Sequence, residues 1–300
     1  MKENHVPKYQ RKARSWIRKT GAKGLILYKG PSQLPLALAQ HSDVLAVLTF
    51  GATNSKLGNE FQTYHLNAEQ HPTDARRYGS GDACICGDCP FRAKATQKLG
   101  PCYPDGRGIA SLWGSIERGN YRPAEELAEA LGLSLLQTLS VVGSLANGVR
   151  LGAYGEPVSM PVRLAQGLTA RARQRQGFTH QWKRLADSPW RMLTMASCET
   201  PEQPGIAAAL GWRTYTVYPD NMTHKQARRA LANASPGVKL GHCPGSSVLD
   251  YIETCETCPI QCDGARYGQA LHVINQAHGN PAAMSRFRAL GYDAKWKAWL

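Results

Sequence analysis

Nine cysteines and one Gly-Glu-Pro turn are the parts of this 300-residue chain whose types and spacing could do chemistry. Cys84, Cys86, Cys89 and Cys102 form one group, running through 79-GSGDACICGDCPFRA-93 in the order C-x-C-x2-C-x12-C. Cys243 and 255-CETCPIQC-262, with Cys255, Cys258 and Cys262, form a second group. Cys198 stands alone and reads as core. Thiols this close together are more often metal ligands than disulfides in a reducing compartment. Four thiolates can close a tetrahedral zinc site. Three can hold a [4Fe–4S] cluster and leave one iron open. Spacing alone does not choose between them in either group. His242, beside Cys243, reads as a bystander that could substitute as a ligand. His272 and His278 read as hydrogen-bonded residues near a pocket.

The turn lies in 149-VRLGAYGEPVSMP-161, where an apolar strand runs into Gly155-Glu156-Pro157. Gly155 removes a side chain where a ligand would approach the backbone. Pro157 stops the strand and stiffens the turn. A carboxylate at a strand end, in a pocket of low dielectric, can pair with an ammonium group strongly enough to orient it. The plain alternative is a turn carboxylate paired with Arg150. Further polar residues close two later strands: Thr179, His180 and Gln181 one of them, Ser197 and Glu199 the next.

These residues need elements to position them. Residues 25–31 and the continuous apolar run 44-VLAVLTF-50 read as strands, the second covered on both faces. Residues 52–67 read as a hairpin or ordered loop. Helical patterns follow at 111–121, with Gly119 past the end, and across 123–147. From residue 149 strands and helices alternate. Strands are expected at 149–156, 177–182, 191–197, 213–218, 238–244 and 271–279. Helices are expected between them, one with Leu164, Ala165, Leu168 and Ala172 on one face and one N-capped by Thr223. Such alternation implies an α/β fold with a parallel sheet, open or rolled into a barrel. The expected organisation is a basic N-terminal arm (1–24), an α/β core carrying the first cysteine group (25–240) and a cysteine-rich C-terminal lobe packed on it (241–300). Ligands in such folds sit at the carboxyl ends of the strands, which favours an iron–sulfur reading of the first group over a peripheral zinc. Trp182, Trp190 and Trp212 read as core.

The formal net charge is +14 and hydrophobic residues make up 42% of the chain, enough for a real core. No apolar run reaches the roughly 20 residues a membrane span needs, and the N-terminus lacks the apolar stretch of a secretory signal. A cytoplasmic protein without membrane contact is expected. The positive charge is clustered. Residues 1–24 carry eight Lys/Arg against Glu3 alone, and residues 161–191 carry seven against Asp187 alone. Such clusters attract polyanions, so DNA or RNA is the partner class the charge suggests. If nucleic acid is bound, Trp182 beside Lys183 and Arg184 could stack on a base. No Walker-type G-x4-GK[ST] is present, which disfavours an ATPase, and no His-hydrophobe-His pair with a placed tyrosine suggests a relaxase.

The order of motifs NSK-x-G (Asn54, Ser55, Lys56, Gly58), CGDCPFR, Cys102-Tyr103, RGNY, VRLGAYGEP, FTHQW, MASCE, GWRTYTVYP and CP…CETCPIQC resembles a family of uncharacterised phage- and plasmid-associated proteins. The layout in turn resembles radical S-adenosylmethionine (SAM) enzymes. That second resemblance implies a partial (β/α) barrel and a [4Fe–4S] cluster on three cysteines after the first strand. It also implies a Gly-Gly-Glu-Pro-like turn on the SAM amino group, a reductant as partner, and an auxiliary cluster in a C-terminal lobe. Carried onto this chain, it makes Cys86, Cys89 and Cys102 the cluster set, with Cys84 as alternate. Gly155, Glu156, Pro157, Thr179, His180 and Ser197 become the cofactor pocket. Two departures stand out. The cysteine signature of those enzymes is C-x3-C-x2-C, and the first glycine of their turn is Tyr154 here. Two readings follow: a radical-SAM-type enzyme acting on an anionic substrate, or a zinc-binding, DNA-binding protein of phage or plasmid replication or regulation.

Overall fold

The computed structural model describes residues 6–35, 42–54, 58–94, 98–102, 104, 106–245, 254, 255, 257, 258, 260–264 and 271–300. Ser55 and Lys56 of the NSK-x-G motif and Tyr103 lie outside them. Contacts divide the chain into two compact units: Met1–Ala75, Gly81–Gly87 and Pro104–Arg175 form the first, and Arg76–Ser80, Asp88–Tyr103 and Gln176–Leu300 the second. The division runs through the expected 25–240 core, and no division falls at 240/241. Among the described residues no helix is long and apolar enough to cross a membrane.

The first unit holds strands β1 (Gly24–Pro31), β2 (Asp43–Asn54), β3 (Gly58–Asn67), β4 (Tyr121–Pro123) and β5 (Gly148–Tyr154), in the order β4-β1-β2-β3-β5. β1–β2 and β2–β3 are antiparallel, while β1–β4 and β3–β5 are parallel. The sheet is therefore mixed where alternation alone suggested a parallel one. Only residues 55–57 join β2 to β3, and so short a connection can only make a hairpin. Val44 to Leu48 are all buried, as a strand covered on both faces requires. The helices Ala124–Leu131, Leu135–Gly143 and Val162–Thr169 bury Leu127, Leu131, Leu139, Val142, Leu164 and Leu168.

Within the basic N-terminal arm, residues 6–20 form a helix, Val6–Thr20, that packs on the helices Ala124–Leu131 and Leu135–Gly143. Ala13 is buried, and Gln10 and Arg14 bond to the carbonyls of Ser144 and Leu145. The sequence carries a narrow apolar stripe through the basic residues, and that stripe is what docks.

The second unit holds β6 (Gln174–Thr179) from Gln176 on, β7 (Met195–Cys198), β8 (Thr214–Tyr218), β9 (Lys239–His242) and β10 (Leu271–Gln276), in the order β6-β7-β8-β10-β9. The pairings β6–β7, β7–β8, β8–β10 and β10–β9 are all parallel. The helices Gln203–Ala209 and His224–Ala234 supply crossovers, the second opened by a capping box of Thr223 and Gln226. Of the segment after 240, strand β10 lies inside this sheet, where His272, Val273 and Ile274 are buried and pair with β8 and β9. The expected strand at 191–197 begins later, at Met195. Pro189 opens a 3-10 turn over Pro189–Met192, where it has no N–H to offer a ladder. Trp182, Trp190 and Trp212 are buried, as read from the sequence.

Candidate functional site

In the first unit, Cys84 and Cys86 sit buried on one helical turn, Ala83–Cys86. Gly87 ends that turn with φ 56° and ψ −129°, a backbone region open only to glycine. The Gly155-Glu156-Pro157 turn is bonded directly to this helix: the Glu156 N–H donates to the Ile85 carbonyl at 2.6 Å. Gly155 has φ +74°, and a Cβ there would lie 2.8 Å from His65 Cβ and 3.4 Å from the Ile85 oxygen. The glycine is thus required twice, by conformation and by clearance. Pro157 opens the 3-10 turn Pro157–Ser159. Glu156 is buried, only 4% exposed. The sequence therefore places a buried carboxylate on a turn that leans on the cysteine-bearing helix.

His65, which the sequence reading missed, braces this turn. Its Nδ1 lies 2.9 Å from Ser159 Oγ and its Nε2 3.2 Å from Thr63 Oγ1. Thr63 Oγ1 accepts the Gly152 N–H at 2.8 Å, and the Ser159 N–H donates to the Glu156 carbonyl at 3.1 Å. The only advance signal is a histidine on the inward face of a strand. Burial lowers its pKa from 6.5 to about 3. The unfolded chain therefore binds a proton that the folded chain refuses, and stability falls as pH drops from about 6.5 toward 3. The slope is roughly 1.4 kcal/mol per pH unit from this one residue. Urea denaturation at pH 6.5 and pH 5 is expected to differ by about 2 kcal/mol on its account, and His65→Gln is expected to remove that difference. An unchanged pH slope in the variant would show that His65 is not the group responsible.

In the second unit, the polar strand ends expected to line a pocket form a relay. Cys89 Sγ lies 3.3 Å from His180 Nδ1, and His180 Nε2 lies 2.9 Å from Glu199 Oε1. Phe91 packs edge-on against the His180 ring with centroids 5.2 Å apart. Glu199 is held from both sides. Its N–H bonds to Gln203 Oε1 at 2.7 Å, and its carbonyl accepts the Trp296 indole N–H at 2.8 Å. β6 and β7 are neighbours, so the residues at their carboxyl ends converge. An imidazole with a carboxylate oxygen 2.9 Å from one nitrogen and a thiol 3.3 Å from the other suits metal ligation by the cysteine and equally a thiol–imidazole pair. Burial, with the Glu199 carboxylate adding to it, raises the Tyr292 phenol to about 12. Tyr292, 93 positions beyond Glu199 in sequence, had no signal that could have announced it.

Thr179 is buried and its Oγ1 accepts the Gln181 N–H at 3.0 Å, so it shapes the strand end. Ser197 is half-buried, and its carbonyl accepts the Trp182 indole N–H at 2.9 Å. Cys198 is core, as expected, its thiol pushed well up by burial first and then by Glu199. Cys102 is half-buried and its N–H bonds to the Phe91 carbonyl at 3.2 Å.

The second cysteine group assembles in the same unit. Cys243 follows β9, and its N–H donates to the Ile274 carbonyl at 3.1 Å. Cys258 closes a turn back to the Thr254 carbonyl at 2.9 Å, and the Cys262 carbonyl accepts the Gly177 N–H at 3.1 Å. Burial pushes the Cys262 thiol well up, and Cys243, Cys255 and Cys258 push it further. Such a donor set suits a thiophilic metal or an iron–sulfur cluster. His242 Nδ1 lies 3.2 Å from the Cys243 carbonyl oxygen. His272 is buried and bonds Thr214 Oγ1 at 2.9 Å, while His278 is exposed beyond β10.

The basic clusters are only partly surface. Lys8, Arg11, Lys12, Arg14, Arg18 and Lys19 are exposed along one helix. Within 161–191, Arg175 is buried and Arg184 pairs with Asp88 at 3.0 Å. No protein-family model, curated protein or solved structure matches the chain.

Proposed function

We propose that the protein is an iron–sulfur enzyme of the radical-SAM type acting on an anionic substrate, with nucleic acid the class its charge favours. The observation that carries this reading is the Gly155-Glu156-Pro157 turn, bonded through the Glu156 N–H to the helix that carries Cys84 and Cys86. A buried carboxylate on a turn whose backbone is bonded to the cysteine helix is what an ammonium-bearing ligand of a cluster would need. The missing side chain at Gly155 lets the turn sit close against His65 and the Ile85 carbonyl. The cysteines of the 84–102 segment have the donor chemistry of a [4Fe–4S] cluster. Bound there, such a cluster would supply one-electron reducing power, drawn from an external reductant. In this reading Glu156 binds and orients the SAM amino group, and His180, set by Glu199, stands beside the Cys89 thiol. Parallel strands joined by helices are the material of a partial (β/α) barrel.

Iron and acid-labile sulfide are expected in anaerobically purified protein, together with a visible charge-transfer spectrum. Stoichiometric zinc without iron would overturn the proposal. It would favour the second reading, a zinc-containing DNA-binding protein, for which the exposed basic face of the helix Val6–Thr20 speaks. That reading requires DNA affinity falling steeply with salt.

A further inference from the structure

Arg213 precedes β8 and is 4% exposed, an uncommon place for a guanidinium. Five hydrogen bonds run from it to residues 260–263 and to Leu271. Nη1 donates to the Gln261 carbonyl at 2.9 Å, the Asp263 carbonyl at 3.0 Å and Asp263 Oδ1 at 2.9 Å. Nη2 donates to the Ile260 carbonyl at 3.3 Å and Nε to the Leu271 carbonyl at 3.2 Å. The carbonyls on either side of Cys262 are therefore held by one side chain. The turn so held is unusual in itself. Gln261 has φ 47°, left-handed without being glycine, a conformation that persists only where the surroundings over-determine it. Gly264 presses its backbone on residues 191–192, where a Cβ would come within 2.0 Å of the Arg191 oxygen.

We infer that Arg213 is the positioning residue of a metal centre formed by the thiolates of Cys243, Cys255, Cys258 and Cys262. The inference rests on reading the second cysteine group as a metal site. A buried ion pair such as Arg213–Asp263 is weak evidence of a purely stabilising role, because apolar residues of similar volume usually serve stability as well or better. What apolar residues cannot do is gather several backbone carbonyls of one loop. The planar fork of five N–H donors can, and a lysine ammonium offers only three, in no fixed fork. Arg213 thus fixes the backbone on both sides of one ligand before any metal arrives.

The test is titration of the metal-stripped full chain with cobalt(II), followed through the thiolate-to-cobalt charge-transfer and ligand-field bands, with far-UV circular dichroism recorded in parallel. The wild type is expected to show a tetrathiolate spectrum, and the Cys255→Ser, Cys258→Ser double variant to lose it. Arg213→Lys, which keeps the charge and loses the fork, is expected to remain folded, to bind cobalt about 10–100-fold more weakly and to show a shifted charge-transfer band. Wild-type affinity and spectrum in Arg213→Lys would overturn the positioning role while leaving the metal site standing. Absence of a thiolate spectrum in the wild type would overturn both. Should Arg213→Lys not fold, Asp263→Asn decides: weakened cobalt binding supports the inference, and unchanged binding and spectrum refute it. Metal analysis of the protein as purified distinguishes zinc from iron with sulfide as the natural occupant.

Discussion

Glu156→Ala is expected to abolish measurable SAM binding while leaving the visible spectrum of the metal centre intact. The carboxylate is 4% exposed and sits on a turn fixed by its own backbone. The Glu156 N–H bonds the Ile85 carbonyl and the Glu156 carbonyl accepts from Ser159, and neither bond uses the side chain. Truncation therefore removes the charge and leaves these two backbone bonds available. Losing one partner of a buried, hydrogen-bonded charge pair costs about 2–5 kcal/mol of binding, on the order of a 30-fold loss of affinity or more. Glu156→Gln keeps the shape and a hydrogen-bond acceptor and should fall between. Equilibrium binding of SAM to the anaerobic protein reads the first effect, and the absorbance spectrum reads the second. Loss of the spectrum together with SAM binding would show that Glu156 supports the fold of the cysteine helix, and the ammonium-orienting role would then be withdrawn.

Trp296→Ala is expected to cost about 3–5 kcal/mol of stability. Trp296 is fully buried in a cluster with Tyr218, Leu231, Ile274, Phe287 and Tyr292. Its indole N–H also bonds the Glu199 carbonyl. The substitution therefore opens a cavity and leaves that carbonyl unpaired. Denaturant unfolding would read the first consequence. The second should show at Glu199 itself, because the residue that fixes His180 loses one of its two backbone anchors. Trp296→Phe, which refills most of the cavity and restores no hydrogen bond, separates the two. If it recovers stability fully, the bond to Glu199 contributes little.

Much of the local structure was legible in the residues themselves. The strands β1, β2, β5, β8, β9 and β10 follow their apolar patterns, and the helix His224–Ala234 starts where Thr223 and Gln226 form a capping box. The Gly155 conformation was readable too, since Gly-Glu-Pro after a strand calls for a residue free of a Cβ. Pairing was not readable. The antiparallel β1–β2–β3 arrangement depends on connection length rather than on pattern, and the docking of the basic helix depends on a stripe that charge conceals. Nor was the division of the chain, because the first cysteine group lies across the boundary of the two units. Cys84 and Cys86 belong to one, Cys89 and Cys102 to the other.

What the sequence by itself determined, then, is a set of donors with their local geometry: two cysteine groups, a glutamate turn and polar strand ends. Those depend on side-chain type and on the few residues around each, and such short-range rules act before the chain has folded. The tertiary structure decided the partners. His180 meets Cys89 and Glu199 from positions 91 and 19 residues away, and Arg213 reaches Asp263 across 50. No local rule encodes such distances. They follow from the order in which parallel strands pair, and burial then makes each meeting obligatory, because a charge or polar group removed from water must find its partner inside.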